Sequence, residues 1–152
     1  DCTPVLVADP GSGSVAACHA GWRGVAAGIL TTAISQLEAS GCRREQLLVA
    51  LGPAVSGPNY QVERSTSEQL GPIDDLQAAG ALLDDPQEGR DRLDIRRAAH
   101  WQLLQFGLRT EQISICPLCT VAEPELFHSW RRDQVKAVQW SGIVSQNADT
   151  PR

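Results

Sequence analysis

At 152 residues, with 42% hydrophobic and 20% charged side chains, the chain has the size and balance of one soluble globular domain, able to bury about two thirds of its unfolded surface. Its apolar runs fall well short of the ~20 residues of a membrane span, so no transmembrane helix and no membrane association are expected. A formal net charge of −5 argues against nucleic acid as a partner and leaves room only for a local basic pocket holding one small anion.

The stretch "PVLVADP" is a short apolar run closed by Asp-Pro and a Gly/Ser turn, and "SVAACHA" resumes the apolar pattern, which predicts two adjacent buried strands. Apolar residues at spacings of three and four predict a helix over 25–37, with Gly41 as its stop signal. Its first turn follows Trp22-Arg23-Gly24, so Arg23 is expected at a helix N-terminus, where free N–H groups favour an anion such as phosphate. "QLLVALGP" reads as a further buried strand, and "AVSGPNYQVE" as a turn leading into a short extended piece. A short helix is expected over 65–70. The segment 71–92 shows little periodicity and reads as a mobile loop holding at most one helical turn. Residues 95–106 form a second amphipathic helix closed by Gly107. "QISICPLCT" reads as a strand entering a turn, "PELFHSWRRD" as a short helix or bend, and "VKAVQWSGIV" as a final strand. The polar tail 145–152 is expected to fray. No Gly-x-Gly-x-x-Gly fingerprint or P-loop is present.

Five scattered cysteines, an odd number, suit a reducing cytoplasm better than a disulfide framework. "DCTPVLVADP" has no start methionine and no leader and reads as the inside of a structural element, as in a fragment. Cys2 and His19 stand at or beside strand ends, and a thiolate with an imidazole suits zinc or copper. Two donors are fewer than the three a catalytic zinc takes, and on pattern alone the favoured reading is a buried thiol with a hydrogen-bonded core histidine. Cys116 and Cys119 form a C-x-x-C pair, a weak signal for zinc or redox chemistry without a second pair. Arg131, Arg132 and Asp133 in "SWRRD" suit phosphate or carboxylate, or simply a solvated turn with an ion pair. His100 lies on the second helix in a packing role, and nothing in the spacing of His128 marks it as a ligand.

Taken in order, "DCTPVLVADP", "VAACHAGWRGVAAGIL", "ALGPAVSGPNYQV", "LDIRRAAHWQLLQFGL" and "CPLCTVAEPELFHSWRRD" resemble the laccase-domain family. Its members are also described as purine nucleoside phosphorylases, multicopper polyphenol oxidoreductases or the peptidoglycan-editing factor. The resemblance covers nearly the whole chain, read as one laccase-type domain over 1–152, and implies an α+β fold, a four-layer α/β/β/α sandwich similar to the catalytic domain of toxins that deamidate small GTPases. It implies a zinc site of two histidines and one cysteine at which purine nucleosides are cleaved by phosphate. Deamination of adenosine and copper-dependent oxidation of phenols are also attributed to members. By position in the motifs, Cys2 and His19 match metal ligands. Arg23, Cys119 and Arg131 match catalytic positions, and Arg23, Thr120 and Arg132 match substrate-binding positions. The remaining metal histidine belongs in the family to a segment before the Asp-Cys strand, so the fold and the metal site are expected to be incomplete at the N-terminus. Asn59 stands where many members carry cysteine. Of the rival readings, oxidation by several copper ions is weakened by a chain with three histidines, too few for such a set. The other rival is a non-catalytic domain that binds a cell-wall precursor or a protein, with a structural metal.

Overall fold

Alternating burial along "TPVLVA" defines the first strand. In the computed structural model, which describes residues 1–145, β1 (Thr3–Ala8) buries Thr3, Val5 and Val7 and turns Pro4, Leu6 and Ala8 to the opposite face. In chain order there follow β2 (Val15–Ala20), α1 (Trp22–Ala26), α2 (Ile29–Ala39), β3 (Leu48–Leu51), β4 (Gln61–Glu63), α3 (Arg64–Ser67) and α4 (Ile73–Ala78). The remainder comprises β5 (Leu82–Asp84), β6 (Arg90–Leu93), α5 (Ile95–Gln105), β7 (Ile113–Ile115) and α6 (Trp130–Asp133). The fold is therefore of the expected α+β class. It has a mixed sheet in the order β2-β1-β3-β7, a second, antiparallel sheet in the order β4-β6-β5, and helices packed on them.

One feature of register positions the site. β1 and β2 run antiparallel with Pro4 opposite His19 and Thr3 opposite Ala20. Successive side chains alternate across a sheet, so the even positions of β1 share a face with the odd positions of β2. The opposite face carries Val5, Val7, Val49 and Leu51 and is covered by α1 and α2, against which α5 packs in turn. Leu30 and Ile34 of α2 meet Ile95, Ala99 and Leu103 of α5 in one core cluster, each large aliphatic side chain contributing about 1.5–3 kcal/mol of burial. The turn between β1 and β2 is tied by Asp9, whose carboxylate accepts the Gly11 N–H and the Ser12 hydroxyl, both at 2.9 Å.

Three expectations are corrected. The helix expected over 25–37 begins earlier, at Trp22, and is broken in two by Gly28, whose φ of 73° lies in the left-handed region. Arg23 thus stands in a helix of five residues, too short for much dipole to accumulate. The loop expected over 71–92 contains α4 and two paired strands, β5 and β6. These strands carry charges where a pattern would show apolar residues, and they are held by partners distant in sequence. Arg64 pairs with Asp91 at 2.8 Å, Arg92 pairs with Asp85, and the Gln61 amide donates to Asp85 at 2.9 Å. The strand expected over 135–144 is irregular chain. It passes by the open face of β1 and β2, where Val138 and Trp140 line a groove with Pro4, Leu6 and Ala17, and pairs with no strand among the described residues. The tail expected to fray lies outside the described residues apart from Ser145, whose hydroxyl donates to the Gly13 carbonyl at 2.9 Å. Among the described residues no helix is long and apolar enough to cross a membrane.

Replacing Gly28 with alanine forces a Cβ into the left-handed region, 3.1 Å from Thr31 Oγ1. The Gly28→Ala protein is expected to lose about 1 kcal/mol, or about 3 °C in Tm, and Gly28→Asn less. Chemical denaturation of the three proteins checks this, and equal stabilities would show that the break between α1 and α2 does not need a left-handed residue.

Candidate functional site

The sheet register delivers the first part of the site. Cys2 precedes β1 and His19 lies near the end of β2, both exposed on the face away from the helices. Cys2 Sγ lies 3.0 Å, and His19 Nε2 3.8 Å, from the point a Gly21 Cβ would occupy. Glycine at 21 is what lets a sulfur and an imidazole nitrogen converge there. Cys18 alternates to the other face and is half-buried against the core, where burial pushes its thiol up. Thiolate and imidazole suit zinc or copper in kind. In number they fall short, because among the described residues no three His, Cys, Asp or Glu side chains gather as a metal site.

A cavity of about 280 Å³ opens beside Cys2, walled by Trp22, Arg23, Tyr60, Trp130 and Arg131. The Arg23 guanidinium lies over the Trp22 ring at 4.4 Å, and that of Arg131 over the Tyr60 ring at 4.6 Å. Stacking on a ring face orients a guanidinium and leaves its N–H edges free. Neither arginine forms an ion pair among the described residues, so two guanidinium charges face one cavity, which Asp1 also lines. A second cavity of about 250 Å³ shares Asp1, Cys2 and Trp130 with the first and adds His19, His128, Pro4, Pro53 and Val138. Cys2 sits where the two meet.

Asp1 holds this corner together. Its carboxylate accepts the hydroxyls of Thr120 and Ser129, each at 2.7 Å, and the N–H of Arg131 at 2.9 Å. Ser129 in turn caps α6 by accepting the Arg132 N–H at 3.2 Å. Two residues expected to bind substrate are engaged by the protein itself in this structure. Thr120 is fully buried, and its hydroxyl is spent on Asp1. The Arg132 guanidinium donates to the carbonyls of Thr120 at 2.9 Å, Val121 at 3.2 Å and Phe127 at 3.0 Å, and also to Asp133. It braces the loop before α6 and has no edge left for a substrate.

Cys119 is buried behind this corner and does not line either cavity. Its sulfur accepts the Ser56 N–H at 3.3 Å and the Asn59 amide at 3.6 Å. Burial pushes the thiol up, but the hydroxyl and N–H of Ser56 and the N–H groups of Ala122 and Val121 outweigh it and hold the thiol below its ordinary range. Cys116, the other half of the C-x-x-C pair, is a free thiol.

Sequence reasoning passed over Trp22, Tyr60 and Trp130 as site residues, and the anchoring role of Asp1. A signal for the tryptophans was present, since Trp-Arg occurs twice, in "GWRG" and "SWRRD", and both copies face the same cavity. No local pattern marks Tyr60, whose place follows from the turn after β3.

Among known proteins, the family model described as multi-copper polyphenol oxidoreductase laccase matches residues 1–145. The purine nucleoside phosphorylase slr1573 of Synechocystis sp. is 42% identical over 95% of this chain and 61% of its own length. The purine nucleoside phosphorylase YlmD of Bacillus subtilis is 32% identical over 95% of this chain and 51% of its own. Among solved structures, the hypothetical protein YfiH of Bacillus licheniformis matches with a TM-score of 0.80 and 31% identity, over 88% of this chain and 50% of that one. YlmD from Geobacillus stearothermophilus matches with a TM-score of 0.79 and 30% identity. The chain thus spans 51% and 61% of the length of these two curated relatives.

The opposite shifts of Cys119 and Cys18 give an order of ionisation. As pH rises, thiolate absorbance near 240 nm is expected from Cys119 before Cys18. In Ser56→Ala the early step moves up towards the ordinary cysteine range of about 8.5. An early step that survives in Cys119→Ser assigns it to another thiol.

Proposed function

The chain belongs to the multi-copper polyphenol oxidoreductase laccase family, and we propose that its protein is a zinc-dependent purine nucleoside phosphorylase, converting adenosine and phosphate to adenine and ribose 1-phosphate. The observation that carries the reading is the pair of ring-stacked guanidiniums, Arg23 and Arg131, facing one cavity beside Cys2. The name purine nucleoside phosphorylase on relatives matched over 95% of the chain supports it. Because the chain spans about half to three fifths of those relatives, the activity is proposed for the protein that carries this sequence. A cytoplasmic location suits its free thiols.

Phosphorolysis of a nucleoside proceeds as the ribose carbon C1′ becomes cation-like. The C1′–N9 bond breaks, its electron pair leaves with the purine, and a phosphate oxygen bonds to C1′. Arg23 and Arg131 would bind the phosphate through forked N–H donors and hold its charge next to the developing cation. Trp22, Tyr60 and Trp130 would exclude water from that charge and fix the arginines. The adjoining cavity, with Pro4, Pro53 and Val138 on its walls, offers the apolar surfaces a purine needs. Cys2 and His19 would hold zinc together with a third ligand from outside the described residues, and the metal would supply Lewis acidity at the junction of the two cavities. Cys119 would act from behind the pocket by fixing Ser56 and Asn59 ahead of Tyr60.

Incubation of the zinc-loaded protein with adenosine should release adenine only when phosphate is present, with ribose 1-phosphate as the second product. Phosphate-independent release, or none, would overturn the reading. Arg131→Ala and Arg23→Ala are each expected to raise KM for phosphate about 10- to 100-fold, the worth of a lost charge-assisted hydrogen bond. KM for adenosine should stay within about threefold, and initial rates at varied phosphate check both.

A further inference from the structure

A departing purine carries away an electron pair and needs a proton, and among the described residues the second cavity contains one protic side chain free to give it. Of the protic groups on its walls, Asp1 is committed to Thr120, Ser129 and the Arg131 N–H. Cys2 and His19 converge at Gly21 as the donors assigned to the metal. The Gln139 amide is committed too: Oε1 accepts the His128 N–H at 3.1 Å and Nε2 donates to the His128 carbonyl at 3.4 Å. Trp130 and Ser141 are too weakly acidic to supply a proton near neutrality. His128 remains. Its imidazole is exposed, lines the cavity together with Cys2 and His19, and makes no side-chain hydrogen bond among the described residues.

The backbone around it is held on both sides. Gln139 grips the N–H and carbonyl of residue 128 from eleven positions along the chain. The next residue, Ser129, is bound to Asp1 at 2.7 Å. An imidazole without a side-chain partner among the described residues, on a backbone held at both sides and beside a cavity that Pro4, Pro53 and Val138 also line, is placed to meet a bound molecule.

We propose that His128 is the proton donor to the departing purine in the nucleoside cleavage proposed above, on which this inference rests. As the C1′–N9 bond breaks, its electron pair passes into the purine ring and N7 takes the imidazolium proton. The phosphate oxygen completes the bond to C1′, and the neutral imidazole regains a proton from water. No oxidant or further reactant is needed.

The test compares two leaving groups. A purine nucleoside methylated at N7 already carries a positive charge on its base and departs without an added proton, whereas adenosine needs one. In His128→Gln and His128→Asn, kcat for adenosine should fall about 100-fold, the lower end of what a general acid supplies. KM for phosphate should not change, and phosphorolysis of 7-methylguanosine should stay within about threefold of the parent. Gln139→Ala should show a smaller loss of the same selective kind. An equal loss on both substrates would make His128 a structural residue, and no loss on either would remove it from the reaction; each result overturns the proposal. If the parent protein cleaves neither nucleoside with phosphate, the phosphorylase reading fails and this inference with it, whereas an active parent with an unaffected variant sinks this inference alone.

Discussion

The carboxylate of Asp1 is the joint on which the site depends. It accepts hydrogen bonds from Thr120, Ser129 and the Arg131 N–H, so the lead into β1, the turn after β7 and the start of α6 meet at one group. Hydrogen bonds to a charged acceptor contribute about 1.5–3 kcal/mol each, and these three close loops of more than a hundred residues. The consequence is local and chemical. Cys2, the next residue, is carried to the same corner as Arg131, and neither strand pairing nor helix packing alone would bring them there.

The second constraint is the pairing of β1 with β2. With Pro4 opposite His19, a slip of one residue would turn His19 towards the helices and Cys18 towards Cys2. Burial guards against the slip, because it would also turn Ala20, now in the core, to the open face. The packing that stabilises the sheet is therefore what selects the histidine over the neighbouring cysteine. Gly21 completes the arrangement by leaving empty the point on which Cys2 Sγ and His19 Nε2 converge.

These constraints explain how much could be read in advance. β1, β2 and α5 were legible because their apolar periods match their geometry, and Cys2, His19, Arg23 and Arg131 were legible through motif resemblance. β5 and β6 were not, since charged pairs such as Arg64 with Asp91 hold them from a distance. The segment 135–144 alternates like a strand, yet it pairs with none among the described residues and leaves Val135, Val138, Trp140 and Val144 exposed. Thr120 and Arg132 are expected at substrate by their match to the family's motifs, which carries no information on where each side chain points. Direction of side chains separates them. Thr120 and Arg132 turn inward to hold Asp1 and the backbone before α6, while Arg131, beside Arg132, turns out onto Tyr60.

The manner in which the arginines are held bears on what the pocket can do. A guanidinium paired with a carboxylate is neutralised as it is positioned, and an incoming dianion must then compete with that carboxylate. Arg23 and Arg131 are positioned by aromatic rings instead, which orient the cation at a cost of about 1 kcal/mol in competing attraction and leave its charge available. Beside them the second cavity sets Pro4, Pro53, Trp130 and Val138 among polar side chains that include His19, Gln139 and Ser141, with the imidazole of His128 exposed along its edge. In the phosphorylase reading proposed above, the arginine side of Cys2 would take the compact anion and the other side the purine, with the scissile bond at the junction, near the sulfur and imidazole that Gly21 allows to converge.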